Sequence, residues 1–245
     1  MVSTIFRAIA VAALVSLPAS SVHAMSVSPN HVEMLSVGNA GRTQITVTNN
    51  GSAPIPVETS LQKLDIDQNG VTKTSPAGEE FLVFPPQAMI PVGGTQLFRL
   101  QWVGEPNLDR SRSYMLSVTQ IPVKIDKNRN GVQVVSSFGV VVNVAPPNGK
   151  PSLRLASTGV AADAQGKRHA TITVENASKV HANLENAVIH VSAGTWSKTY
   201  ESGDILQKIG IGIVQPGKRR VFILPDELPA GASKIQARLD YTPAR

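Results

Sequence analysis

The sequence predicts an all-β fold divided into two domains, and three observations carry that reading. Apolar and polar residues alternate at period two along segment after segment, and Gly, Pro and Asn punctuate those segments at short intervals. No stretch sustains an apolar helical stripe over three turns. A single proline-rich break, Pro146-Pro147-Asn148-Gly149-Lys150-Pro151, then interrupts the pattern, because consecutive prolines cannot donate ladder hydrogen bonds and Gly permits a sharp change of direction.

The elements follow in chain order. Residues 1–24 read as a secretory signal: Arg7 gives a positive start, an apolar run covers 8–17, and Val22-His23-Ala24 gives a small-residue cleavage site before Met25. That run falls short of the roughly 20 apolar residues needed to span a bilayer, so an exported chain with no integral membrane segment is expected. The remaining length, about 220 residues, is enough for two domains that each bury a core. In the first, 25–146, strands are expected at 26–32, 42–49, 55–64, 81–84, 95–102, 113–122 and 132–144. Seven short strands separated by turns suggest an immunoglobulin-like sandwich. Residues 147–151 are the expected linker. In 152–245, strands are expected at Leu153 and Leu155 and at 170–174, 181–191, 196–200, 219–224 and 234–241, forming a second, less clearly patterned sandwich.

Composition narrows the chemistry. The absence of Cys removes disulfides, thiol catalysis and Cys-based metal sites. A formal charge of +6, falling to +5 without the signal, favours acidic partners. Nucleic acid is not among the expected partners, because export removes it and the eleven aromatic residues form no stacking array. Two segments, Asp65-Ile66-Asp67-Gln68-Asn69-Gly70 and Asp126-Lys127-Asn128-Arg129-Asn130-Gly131, imitate the start of a calcium loop. The position that needs a bidentate Glu is Pro76 in one and Ser137 in the other, so hairpin turns are expected instead of a metal site. His31, His169, His181 and His190 lack zinc-peptidase spacing, and neither a nucleophile-elbow serine nor a phosphate loop is present. No catalytic residue, metal or cofactor is therefore expected. Asn176-Ala177-Ser178 has the form of a glycosylation acceptor but stands where a strand ends, which favours a plain turn.

The segment 132–144 is apolar on both faces, with Val132, Val134, Phe138, Val140, Val142 and Val144 on one and Val135 and Val141 on the other. Either it is a central strand buried on both sides, or it is an edge strand that keeps an apolar face for a partner.

Several stretches in order, SVSPNHVEM, ITVTNNGSAPIPVETSL, FPPQAMIPVGGTQLFRL, SYMLSVTQIPV, VQVVSSFGVVVNVAPP, TVENASKVHANL and VQPGKRRVFILP, resemble the periplasmic pilus chaperones of the chaperone-usher pathway. The resemblance implies two immunoglobulin-like domains in a boomerang arrangement, located in the periplasm. It also implies an ATP-independent, non-enzymatic chaperone that lends a strand to pilus or fimbrial subunits and delivers them to an outer-membrane usher. It assigns Val132, Val134, Phe138 and Val140 to the subunit-binding strand. The family's cleft Arg and Lys, which hold a subunit's terminal carboxylate, are replaced here: His31 stands at the Arg position and is the candidate anchor, and the Lys position falls at Val141 or Val142. Pro54, Ile121 and Pro122 are implied to face the usher. A second reading is a secreted structural or adhesive sandwich such as a pilus subunit. It would place a donor segment near the mature N-terminus, where 26–32 reads as an integral first strand. An enzyme is the third.

Overall fold

The computed structural model describes residues 25–122, 135–202, 204–232 and 234–243, so the expected signal lies outside the described residues. Among these, β1 to β10 pair only with one another, and β11 to β18 likewise. One sheet of the first sandwich runs β1 (Ser26–Ser28), β3 (Arg42–Thr48), β8 (Thr95–Trp102), β6 (Phe81–Phe84). The other runs β2 (His31–Leu35), β10 (Ser137–Ala145), β9 (Arg112–Gln120), β4 (Ile55–Ile66), β5 (Thr72–Pro76), with β7 (Gln87–Ile90) paired to the start of β4. Period-two alternation builds the core: Ile45 and Val47, Phe98, Leu100 and Trp102, and Tyr114, Leu116 and Val118 all point inward. Phe81, Trp102 and Tyr114 meet edge to face at one end, with the Phe81 ring 5.1 Å from Trp102 and 4.9 Å from Tyr114.

The first expected strand, 26–32, is two strands in different sheets. β1 pairs antiparallel with β3, and β2 pairs parallel with β10. Pro29 explains the split, since it has no N–H to continue a ladder and the chain crosses between sheets there. β5 is wholly exposed and β7 is four residues long, so neither carries a strong period-two signal.

The second sandwich sets β11 (Arg154–Ala162), β12 (Arg168–Glu175) and β17 (Arg219–Glu227) against β15 (Trp196–Tyr200), β14 (Ala187–Ala193) and β18 (Gln236–Tyr241). Ile172, Val174, Ile189, Val191, Phe222 and Leu224 fill the space between them. The expected strand 181–191 is broken into β13 (Ala182–Asn183), a 3₁₀ turn at Leu184–Asn186, and β14. β13 pairs with β16 (Ile213–Val214), and a short helix α1 (Asp204–Ile209), absent from the sequence reading, precedes it. Each sandwich pins a corner with a buried asparagine. Asn49 Nδ2 donates to the Ala53 and Ile90 carbonyls at 2.8 and 3.0 Å, and Asn176 Nδ2 donates to the Val180 and Val214 carbonyls, both at 2.8 Å. The Asn176 amide is thus consumed by a turn.

The first calcium-like segment is the β4–β5 turn. Asp67 Oδ1 accepts from the Asn69 and Val71 N–H groups, both at 2.9 Å, and Gly70 has φ +86°. The second, 126–131, lies outside the described residues. The β4–β5 hairpin is clamped by the second sandwich. Gln215 Oε1 accepts from Ile66 N–H at 3.0 Å while its Nε2 donates to the Leu64 carbonyl at 2.8 Å, and Val221 N–H donates to the Gln68 carbonyl at 2.8 Å. Lys218 pairs with Asp65. An apolar seam of Leu64, Ile66, Val141 and Ile213 lies beneath.

Candidate functional site

Strand β10 has β9 along one side from Ser137 to Val144, but β2 covers its other side only from Val141 to Ala145. Among the described residues, 137–140 therefore form an open sheet edge. Gln120 N–H donates to the Ser136 carbonyl at 2.9 Å and Val141 N–H to the Asn30 carbonyl at 3.1 Å. That phase turns the N–H and C=O groups of Ser137 and Gly139 toward the open side. Unpaired backbone groups of this kind are a template for another strand.

The side chains divide between edge and core. Phe138 is 37% exposed and Val135 42%, on opposite faces of the segment. Val140, expected to face a partner, is instead fully buried in the first core with Val142 and Val144. It cannot offer surface to a partner without opening that core. Val132 and Val134 lie outside the described residues. The two-faced apolarity has two causes: even-numbered residues from Val140 onward fill the first core, and Val141 on the opposite face fills the seam against the second sandwich.

The open edge ends at Asn30 and His31, at the junction of the two sandwiches. His31 lies directly opposite Val141 in the parallel register and borders two cavities, of about 600 and about 260 Å³. Of the two candidates for the family's Lys position, Val141 borders the smaller cavity and Val142 is core. Two residues along the same face of β2, Glu33 joins the domains. Its Oε2 lies 2.5 Å from His181 Nε2, and its Oε1 accepts from Asn143 Nδ2 at 3.0 Å. Asn143 Oδ1 in turn accepts from Ser113 Oγ at 2.7 Å, and His181 N–H donates to Ser111 Oγ at 3.1 Å. Tyr241 also borders the larger cavity. Burial above all pushes its hydroxyl up to about 12, with the Glu33 charge adding to it. Among the described residues, no Lys or Arg side chain borders either cavity. Sequence reading missed Glu33, Asn143 and His181; only Glu33 had a usable signal, its period-two relation to His31.

Pro54, Ile121 and Pro122 come together at the far end of the second sheet. Ile121 N–H donates to the Pro56 carbonyl at 2.8 Å, and Met89, 64% exposed, sits opposite Pro56 in the β4–β7 register. Pro54 and Pro122 are exposed beside them.

The model of the pili and flagellar-assembly chaperones, PapD N-terminal domain, matches residues 26–149. Solved structures similar over most of the chain include the Salmonella enterica SafA pilin in complex with the SafB chaperone, at 17% identity and a TM-score of 0.55, covering 89% of this chain and 96% of that one. The YadV chaperone follows at 15% and 0.54, covering 88% and 92%. The E. coli chaperone DraB gives 20% and 0.51, covering 89% and 92%. At these identities the likeness carries the fold, two immunoglobulin-like sandwiches. No curated protein sequence matches the chain. The matched family segment runs from β1 through β10, includes the open edge and His31, and spans half of the chain, which is thereby a member of the pili and flagellar-assembly chaperone family.

Proposed function

We propose that this protein is an ATP-independent, non-enzymatic periplasmic chaperone that binds pilus or fimbrial subunits along the β10 edge and delivers them to an outer-membrane usher. The observation that carries the reading is the half-covered strand: Ser137 and Gly139 backbone groups unpaired among the described residues, beside exposed Phe138 and leading to a cleft at His31. A subunit lacking a strand exposes an apolar groove and unpaired backbone, which would otherwise aggregate edge to edge. Strand addition satisfies both, with main-chain hydrogen bonds setting register and Phe138, with Val132 and Val134 upstream, filling the groove. No cofactor enters this chemistry. His31 serves as the hydrogen-bonding contact for the subunit's terminal carboxylate, and Pro54, Ile121 and Pro122, with Met89 across β4 from Ile121, meet the usher.

The test is Ser137→Pro. It removes one open-side N–H at the first residue of β10, where proline is tolerated, and leaves the backbone bonds to β9 in place, giving up only the exposed hydroxyl contact between Ser137 and Thr119. Copurification with the coexpressed pilus subunit is expected to fall sharply while the melting temperature holds. Undiminished capture would reject the edge as the subunit site.

A further inference from the structure

The larger interdomain cavity, of about 600 Å³, is bordered by two carboxylates, Glu33 and Glu185, and among the described residues by no Lys or Arg side chain. Glu33 has nearly half of its side-chain surface exposed. His181 is only 8% exposed, and with Nε2 donating to Glu33 its Nδ1 has no partner among the described residues. The Tyr241 hydroxyl, buried at the same cavity, also lacks one. Buried polar atoms without partners are rare, and two of them border this one cavity. A neutral imidazole that donates through Nε2 presents a lone pair at Nδ1, and a phenol oxygen can accept as well as donate. The cavity therefore offers acceptors and negative charge, and needs an occupant rich in donors.

We infer that this cavity receives a cationic side chain, an arginine or lysine of the bound polypeptide, between Glu33 and Glu185, with His181 Nδ1 and Tyr241 Oη as neutral acceptors. Guanidinium suits it best, because it carries five N–H donors, no acceptor and a permanent charge. An oxyanion held between Glu33 and Glu185 would meet two like charges, so the terminal carboxylate proposed for His31 lies on that residue's other side, at the smaller cavity that Asn30 and Val141 also border. The inference rests on the reading that a subunit strand lies along 137–140, since that path leads to Asn30 and His31 and so into the cleft.

The test uses the full-length protein and three acetylated tripeptide amides, alike except for a central arginine, citrulline or glutamate, titrated by calorimetry. The arginine peptide is expected to bind at least tenfold more tightly than its citrulline counterpart, with a preference that weakens in salt. Glu185→Gln, which leaves the Glu33–His181 pair intact, is expected to reduce the preference severalfold, and Glu33→Gln to reduce it further. Equal binding of the arginine and citrulline peptides, tightest binding of the glutamate peptide, or a preference that survives both substitutions would overturn the inference. The arms also separate it from the chaperone reading. If Ser137→Pro abolishes subunit capture while the peptides bind alike, the cation site fails and the reading stands. If the arginine preference holds while Ser137→Pro leaves capture intact, the reading fails and the cation site remains.

Discussion

Substituting Phe138 and Val140 in parallel separates edge from core on a single strand. Phe138 exposes 37% of its surface, and a phenylalanine side chain has about 200 Å² to bury, so a partner covering it removes about 75 Å² from water. At roughly 25 cal/mol per Å² this is about 2 kcal/mol, or about 25-fold in affinity. Phe138→Ala is thus expected to weaken capture of the pilus subunit about 25-fold with little change in the melt, and Phe138→Glu to weaken it more, because an unpaired charge would enter an apolar groove. Val140 is fully buried, and Val140→Glu puts a carboxylate into the first core. An unpaired buried charge costs several kcal/mol, a large share of the roughly 5–15 kcal/mol that holds a domain together. Its expected signature is a collapsed melt, with capture lost as a by-product. Calorimetric melts and subunit titrations on the same preparations measure both. If Phe138→Ala leaves affinity within about threefold, or Phe138→Glu unfolds the protein as Val140→Glu does, the division of the strand is wrong.

Gln215→Ala is expected to strip Ile66 N–H and Leu64 C=O of their partners, and two unsatisfied buried backbone groups cost about 2–6 kcal/mol together; denaturant unfolding reads this, and a change below about 0.5 kcal/mol would refute it. His31→Arg is expected to strengthen binding of a subunit with a free terminal carboxylate and to leave its amidated form unaffected, an outcome that titration of the two forms decides. Arg154, then Arg219, holds the Glu175 carboxyl below its usual range, so this pairing stabilises the fold above the ordinary Glu value and the contribution is lost as pH falls through the lowered one. Replacing both arginines by Ala is expected to flatten the acid limb of the melting profile below about pH 4.3 and to leave its slope above about pH 6 unchanged, as thermal melts across pH will show. Calcium, zinc or ATP is expected to leave the melting temperature in place, whereas a ligand at 100 times its dissociation constant would add about 2.7 kcal/mol.

The strands with strong alternation were legible in the sequence because one face of each meets a core: β3, β8 and β9 fall close to their expected bounds. β5 was not, because TKTSP buries nothing and owes its conformation to pairing with β4. The β1–β2 break was signalled by Pro29, but the sheet change was not, since parallel pairing to β10 is a contact far away in sequence. The same limit applied to the site. Phe138 could be read from the pattern of its own strand, and His31 from the family resemblance. Glu33 and His181 meet only after two domains fold and dock, and no local period reports that. Val140 was misassigned because alternation gives the face of a residue and not the point along the strand where that face turns from solvent to core.

The clamp on the β4–β5 hairpin bears on autonomy. The family signature ends at residue 149, yet the half that carries it leaves its own backbone groups at Leu64 and Ile66 to be capped by Gln215, and its seam of Leu64, Ile66 and Val141 to be covered by Ile213. Cut at the linker, the first sandwich would keep its core but gain a sticky apolar flank and a second unsatisfied strand end, competing with the edge at 137–140 for whatever strand came near. The second sandwich thus acts as a built-in cover for a flank that the first half alone would present to passing chains.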